Sequence, residues 1–387
     1  MANPRICLSR HRWMILAVLC LVVPSVAWAN AGTPLIWAKM LHLLFGNAII
    51  GLGEGLVLSA LFGLRRGRSV GAMIVANYAS AWVGGATLLE GLALRVPANI
   101  ENLRPWFWTF VALAFVVTLV VEYPMVRLAL GRRPNGWRVA AKGVLLVNAI
   151  SYPLLFGWYW LASGTSLLTG VSVMRAEELQ PSPEYALYYL TTAGDVMRSD
   201  LTGARQERVA TLGAVDHKDR LYVRQGARGT FDLTAIQMNG NREQTENCAG
   251  AEDFALKAAV DERMRGLEGQ ELDVSWYNFG EVGKLGVESP WSMRVGFWPV
   301  EGITASRTDP DAKLRFSLET PFVQWLARNA THLKGNLVLF QLGDDQICLL
   351  DPLGKRIALV VRGQGPVVAL GEPGQVVPAG AVPVGGR

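Results

Sequence analysis

Residues Ile36 to Gly63, IWAKMLHLLFGNAIIGLGEGLVLSALFG, form one long and mostly apolar run. A run of about 20 mostly apolar residues is long enough to cross the hydrocarbon core of a bilayer. The stretch carries one carboxylate, Glu54, in the run Gly51-Leu52-Gly53-Glu54-Gly55. Because an ionisable group inside a membrane span is costly, it marks a candidate functional site. We therefore predict a transmembrane helix with a special polar position at Glu54.

The composition places this stretch in a chain with two parts. Of the 387 residues, 51% are hydrophobic and 18% are charged, which is more apolar than an ordinary soluble protein and long enough for two domains. The apolar residues are concentrated before about Ala162. The net charge of +5 is modest, and the arginines lie between apolar runs rather than in a basic stripe with interleaved aromatic residues. Nucleic acid is therefore not expected as a partner.

Residues 1–29 are typical of a secretory signal peptide. Arg5, Arg10 and Arg12 precede an apolar run over residues 13–23, and Ala27-Trp28-Ala29 offers a cleavage site between small residues. The mature chain would begin near Asn30. An uncleaved anchor helix is the alternative, and both interpretations place the residues just after position 30 outside the cytoplasm.

Four apolar runs of membrane-crossing length follow the signal. They are, approximately, Ile36 to Gly63, Val70 to Leu94, Trp106 to Leu130 and Trp137 to Ala162. Four buried helices of a soluble bundle would need polar faces, which these runs lack. The sequence thus predicts a membrane domain over residues 30–162 with four transmembrane helices.

Basic residues in the short connections predict the orientation of these helices. Arg65, Arg66 and Arg68 follow the first run, and Arg132 and Arg133 follow the third. An excess of Lys and Arg in short loops marks the cytoplasmic side. Both ends of the mature chain are therefore expected outside the cytoplasm, in a bacterial inner membrane or a plasma membrane.

Each predicted span places a strong polar side chain at a similar depth. With a rise of about 1.5 Å per helical residue, the glutamates and asparagines lie about 12 to 15 Å from the arginine turns. The six residues of this predicted layer are Glu54, Asn77, Glu122, Asn148, Ser151 and Tyr152. One hypothesis is a proton or cation site formed by Glu54 and Glu122, and the other is a hydrogen-bonded layer that holds four helices in register.

A second polar group is predicted near the outer ends of the first two spans. Lys39 and Glu90 are expected to form an ion pair at the membrane interface, where long charged side chains reach toward water. His42 lies one turn from Lys39. A role of His42 as a metal ligand or pH sensor is the less favoured alternative, because no second histidine is near in sequence.

The glycines of the first span match a G-x-G-x-G pattern at Gly51, Gly53 and Gly55. A phosphate-binding loop would need a preceding strand and a following helix in water, which this stretch lacks. Gly51 and Gly55 instead fit a small-xxx-small face on which another helix packs closely.

The composition changes after residue 162 to polar residues, short alternating strands and glycine turns. Residues 163–370 are therefore predicted to form a β-rich extracytoplasmic domain, and residues 371–387 a disordered tail. Two stretches of this domain share one plan: residues 185–212 and 336–361 each contain a strand, a Gly-Asp turn, a strand, a turn with glycine and a third strand.

This plan resembles blades of TolB-like and similar periplasmic β-propellers. The resemblance implies a propeller-like domain that binds other molecules. Less regular strand pairs in the rest of the domain leave an irregular β-sandwich as the alternative fold.

No catalytic set is found in the β-rich domain, and no cofactor or metal site is predicted. Cys248 and Cys348 could form a disulfide in an exported domain. We therefore expect a membrane-anchored interaction, scaffold or sensor protein rather than an enzyme. Its expected partners are the lipid bilayer and a membrane or periplasmic protein. The alternative is a small transporter, channel or intramembrane enzyme that uses Glu54 and Glu122.

Overall fold

The computed structural model describes residues 34–93, 95–211, 219–225, 231–239, 242–247, 257–258, 280–296, 302–323 and 325–370. The predicted signal peptide, the tail over residues 371–387 and Cys248 lie outside these residues. The predictions made for them therefore stay predictions.

Four helical segments form the N-terminal part. Segment 1 contains α1 (Pro34–Leu41), a π-helical turn (His42–Gly46) and α2 (Asn47–Phe62); segment 2 contains α3 (Arg66–Ala79), a π-helical stretch (Ser80–Leu89) and α4 (Glu90–Ala93); segment 3 is α5 (Leu103–Leu130); and segment 4 is α6 (Gly136–Ala162). Long apolar runs without polar faces explain why the segments are helical, since a helix satisfies all its own backbone groups.

Three helices among the described residues are long and apolar enough to cross a membrane: Trp37–Phe62, Leu103–Leu130 and Gly136–Ala162. The sequence predicted four. Segment 2 is not among the three; it opens with the polar run Arg66-Gly67-Arg68-Ser69. A membrane crossing by segment 2 stays a prediction.

Segments 1 and 2 pack at close range through two glycines. A Cβ atom added to Gly51 would lie 2.6 Å from the Cα of Ile74, and one added to Gly55 would lie 2.5 Å from the Cα of Val70. Such contacts with backbone atoms leave no room for any side chain. By contrast, a Cβ atom on Gly53 would meet nothing within 4 Å.

The arginine turns lie together at one end of the bundle. Each turn donates a hydrogen bond to the carboxyl end of a helix in the other pair. Arg68, after segment 1, donates a hydrogen bond to the carbonyl of Leu128 near the end of segment 3 at 2.6 Å. Arg133, after segment 3, donates to the carbonyl of Phe62 at the end of segment 1. A cation at the carboxyl end of a helix satisfies free carbonyls and opposes the helix dipole.

The C-terminal part is β-rich. Its described strands are β1 (Ser172–Arg175), β2 (Tyr185–Leu190), β3 (Asp195–Ser199), β4 (Gln206–Thr211), β5 (Arg220–Gln225), β6 (Phe231–Asn239), β7 (Arg242–Asn247), β8 (Lys257–Ala258), β9 (Gly280–Glu281), β10 (Gly283–Lys284), β11 (Ser292–Gly296), β12 (Gly302–Arg307), β13 (Ala312–Phe316), β14 (Ala327–His332), β15 (Val338–Leu342), β16 (Gln346–Asp351), β17 (Arg356–Arg362) and β18 (Gln364–Leu370). Short 3-10 helices occur at Ala176–Leu179 and Lys334–Asn336.

These strands form four sheets. Their orders are β1-β17-β16-β15-β14-β10, β13-β12-β11-β9, β4-β3-β2-β18-β8 and β5-β6-β7. Both blade-like repeats of the sequence occur as antiparallel three-stranded units, β2-β3-β4 and β15-β16-β17. Each unit is widened by a distant strand, since β18 pairs with β2 and β1 pairs with β17.

The four sheets pack face to face through three hydrophobic clusters. The six-stranded sheet lies between the four-stranded and the five-stranded sheet, and its strands bury alternate residues on opposite faces. On β15, Phe340 packs in the cluster with the four-stranded sheet, and Leu339 packs in the cluster with the five-stranded sheet. The five-stranded sheet packs its other face on the three-stranded sheet. Burial on both faces explains the nearly continuous apolar strands β15 and β16.

The described sheets do not close into a barrel or a propeller. Face-to-face packing of successive sheets is an arrangement that propeller blades also use. However, closure of a ring is what defines that fold. The described structure is thus a β-rich region of several sheets, and the predicted propeller is not found in it.

Candidate functional site

Glu54 lies inside the helical bundle with its carboxylate held by segment 2. Its side chain is 5% exposed. Asn77 donates a hydrogen bond from Nδ2 to Glu54 Oε2 at 2.6 Å. The same amide nitrogen also donates to the backbone carbonyl of Met73 at 3.0 Å, one turn earlier in its own helix. This second bond fixes the orientation of Asn77, so the position of the Glu54 carboxylate is set by segment 2.

Glu122 on segment 3 is the second buried carboxylate, and it accepts hydrogen bonds from segments 2 and 4. Its side chain is fully buried. Asn148 donates a hydrogen bond from Nδ2 to Glu122 Oε2 at 2.7 Å. The same nitrogen donates to the backbone carbonyl of Val144, one turn earlier in segment 4, at 3.1 Å. Ser80 donates from Oγ to Glu122 Oε1 at 3.2 Å. The two glutamates thus have the same kind of partner, an asparagine pinned to its own helix.

These contacts link the four segments in a circuit, which we call the polar ring. Asn77 joins segment 2 to Glu54, and Ser80, one turn further along, joins segment 2 to Glu122. Segment 4 contributes Asn148 to Glu122 and places Ser151 beside Glu54. The Ser151 hydroxyl completes the circuit by position only, because Glu54 Oε1 is buried without a well-aligned hydrogen bond from the described residues.

The Tyr152 hydroxyl bonds to segment 3 rather than to a glutamate. Its hydroxyl is 2.9 Å from Thr118 Oγ1 on segment 3, and its ring makes an edge contact with Phe115 at 4.9 Å between centroids. Tyr152 therefore ties segments 3 and 4 one turn outside the polar ring.

Ser80 is the member of the polar ring that sequence reasoning missed. A serine in an apolar run carries little signal alone, but Ser80 follows Asn77 by three residues and so shares its helical face. Ser80 is also the first residue of the π-helical stretch of segment 2. Single π-helical turns within α-helices often occur at functional sites.

The polar ring can act chemically in two ways. Two carboxyl groups in apolar surroundings can retain or exchange protons, or share a cation, because two isolated negative charges there are very costly. The same groups, held neutral, can act only as hydrogen-bonding ties between helices, each contributing about 1 kcal/mol. The hydrogen bonds use three of the four glutamate oxygens and leave Glu54 Oε1 buried without a partner among the described residues.

The second predicted polar group, Lys39, His42 and Glu90, is described only in part. His42 Nδ1 lies 2.9 Å from the Tyr159 hydroxyl, so His42 joins segment 1 to segment 4. Trp158 adds a hydrogen bond to the carbonyl of Ala38 at 3.3 Å. The side chain of Glu90 lies outside the described residues, so its predicted ion pair with Lys39 stays a prediction.

The loop between segments 2 and 3 enters the core of the β-rich region. Ile100 and Leu103 are 1% and 2% exposed and belong to the cluster between the six-stranded and four-stranded sheets. The backbone N–H of Ile100 donates to Gln346 Oε1 on β16 at 2.9 Å. A buried amide paired with a buried side chain shows that this loop is part of the β-rich core.

Two further contacts fix the β-rich region to the bundle. The ring of Phe322 lies 5.8 Å from that of Phe107 and 5.5 Å from that of Phe110, both on the first turns of segment 3. After segment 4, the N–H of Ser317 donates to the carbonyl of Thr165 at 2.9 Å. Sequence reasoning missed this docking, although Ile100 is an isolated apolar residue in a polar loop.

The β-rich region offers few reactive groups among its described residues. Burial lowers the pKa of His332 and raises the pKa of the Cys348 thiol, so both side chains are held neutral. Cys348 is buried on β16. Cys248 lies outside the described residues, so the predicted disulfide between them stays a prediction. Among the described ranges, no cluster of three or more His, Cys, Asp or Glu residues could hold a metal ion.

Comparisons with known proteins add no relative to this picture. No protein-family model, curated protein or solved structure matches the chain. The polar ring and the docking of the β-rich region are therefore the two features that indicate a function.

Proposed function

We propose that the protein is a membrane-anchored binding or sensor protein, whose helical bundle presents the β-rich region to a protein partner outside the cytoplasm. The observation that carries this proposal is the docking of Ile100 and Leu103 in the β-rich core. A domain tethered by a flexible linker could be presented without such contacts. A fixed domain can transmit the force of binding to segment 3, which carries Glu122 about two turns before its end.

The position of the arginine turns supports the proposed orientation. Segment 3 contains 28 residues, so it runs about 42 Å from the β-rich region to the turn with Arg132 and Arg133. The β-rich region and the arginine turns thus lie at opposite ends of the bundle. If the basic turns face the cytoplasm, as such turns generally do, the β-rich region lies outside it.

A reporter fusion tests this orientation. We expect alkaline phosphatase fused after Arg387 to be active, because this enzyme needs an oxidising compartment for its disulfides. The same reporter fused after Arg133 should be inactive. A cytoplasmic reporter such as green fluorescent protein, bright after Arg387, would overturn the orientation and the proposed external partner.

The polar ring favours a second candidate function, proton or cation transfer through the membrane. Its specific support is the pair of buried carboxyl groups, Glu54 and Glu122, held in one layer by matched asparagines. Ion-translocating membrane proteins place such groups in the bundle interior. One observation disfavours this function. The hydrogen bonds of the polar ring connect every segment to a neighbouring segment, as is expected of groups that hold the helices together.

Charge-removing substitutions separate the two functions. Glu54→Gln and Glu122→Gln keep an oxygen that accepts the asparagine hydrogen bond but cannot carry a proton. We expect the wild-type protein in liposomes to show no proton flux above empty liposomes and both variants to assemble normally. Glu101→Gln, at an exposed loop position, is the matched control. A proton flux that both ring variants abolish and Glu101→Gln retains would replace the anchoring proposal with transport.

A further inference from the structure

A groove runs along the bundle between segments 1 and 4. It extends from Leu41 to Val57 on segment 1, which is about 24 Å along the helix. Its volume is about 570 Å³, within the range of about 300 to 1,000 Å³ for small-molecule sites. Ile49 and Leu154 on its rim are 69% and 71% exposed. Apolar side chains this exposed indicate that the groove opens sideways into the hydrocarbon of the membrane.

The groove wall is apolar except at two places. Glu54 and Ser151 lie together at the level of the polar ring, and His42 lies near one end of the groove, where its Nδ1 is 2.9 Å from the Tyr159 hydroxyl. Among the described residues that line the groove, there is no lysine or arginine. This lining disfavours a phosphate or carboxylate ligand, which would face Glu54 without a compensating cation.

One oxygen of Glu54 lacks a hydrogen-bond partner at the level of this groove. Asn77 holds Oε2, whereas Oε1 is buried without a hydrogen-bond partner among the described residues. Buried polar atoms are rarely left unpaired in folded proteins. Gly53 also lines the groove, and a Cβ atom added to it would meet nothing within 4 Å, so the groove is open at this residue.

We infer that this groove binds a membrane-dissolved alcohol, a molecule with a long apolar chain and one terminal hydroxyl group. The chain would lie along the apolar wall, and the hydroxyl would meet Glu54 Oε1 and Ser151. A hydroxyl group suits this pair because it both donates and accepts, so it can donate to Oε1 and accept from the serine. The inference does not rest on the function proposed for the β-rich region.

Photolabelling of the purified full-length protein in detergent tests the inference. The probe is hexadecanol with a diazirine in the middle of its chain, compared with the same chain without the hydroxyl group and with a terminal amine in its place. We expect the alcohol to label residues 41–57 and 147–158 about fivefold more than the alkane, the ratio that one net hydrogen bond supplies. Equal labelling by the alkane, or stronger labelling by the amine, would overturn the inference.

Matched glycine variants show whether the labelling comes from the groove. Gly53→Leu should place a side chain in the groove and reduce alcohol labelling to the alkane level. Gly71→Leu is the control, since Gly71 is also an exposed helical glycine without neighbours within 4 Å, and it lies on segment 2 away from the groove. If Gly53→Leu does not fold, Ile49→Trp at the exposed rim serves to block entry. Full alcohol labelling of a folded blocked variant would contradict the site.

Discussion

Replacing Gly55 with leucine is expected to prevent segments 1 and 2 from packing and to destabilise the whole bundle. The Cβ of the new side chain would lie 2.5 Å from the Cα of Val70, and its remaining atoms would extend into the same helix. Backbone atoms cannot move aside as a flexible side chain can. We expect a loss of about 3 kcal/mol in the free energy of unfolding, the upper part of the usual range for overpacking.

The measurement is unfolding of the purified protein in a denaturing detergent, followed by tryptophan fluorescence. Gly53→Leu on the same helix is the matched control, because its new side chain enters open space. Gly55→Ala should already lose stability, since a single Cβ atom makes the clash. Wild-type stability of Gly55→Leu would mean that segments 1 and 2 do not touch at this face.

Replacing Ile100 with aspartate is expected to release the β-rich region from the bundle. The new carboxylate would enter an apolar cluster that contains Leu103, Phe316 and other buried side chains. Burying an unpaired charge in a core is among the most damaging substitutions, with a cost of about 4 kcal/mol or more. The core cannot accept this charge, so the loop should leave it.

Limited proteolysis of the full-length protein measures this release. We expect Ile100→Asp to be cleaved rapidly within residues 95–106, whereas the wild-type loop should resist. Pro97→Asp, at an exposed position of the same loop, should behave as the wild type. If both aspartate variants are equally resistant, the loop does not contribute to the β-rich core.

The positions of the polar ring residues could be predicted from the sequence because helical geometry in a membrane is regular. A fixed rise per residue converts sequence distance from an arginine turn into depth, and this placed Glu54, Asn77, Glu122 and Asn148 in one layer. The change to π-helical geometry at Ser80 has no comparable signal. The bonded partner of Glu122 on segment 2 was therefore missed.

The assembly of the sheets could not be predicted in the same way. The strands of both blade-like repeats occur where their alternating residues and glycine turns placed them. The pairing of β18 with β2 joins residues far apart in sequence, and local patterns carry no information on such partners. The docking of Ile100 is likewise a contact across 246 residues, with Gln346.

Hydrogen–deuterium exchange of the loop amides in the full-length protein tests the central claim, that the β-rich region is fixed to the membrane bundle. The amide of Ile100 is buried and donates to the buried side chain of Gln346. We predict that the Ile100 amide exchanges as slowly as the amides of β16. Exchange as fast as in an isolated peptide of the same sequence would contradict this prediction. The β-rich region would then be connected to the bundle by a mobile linker.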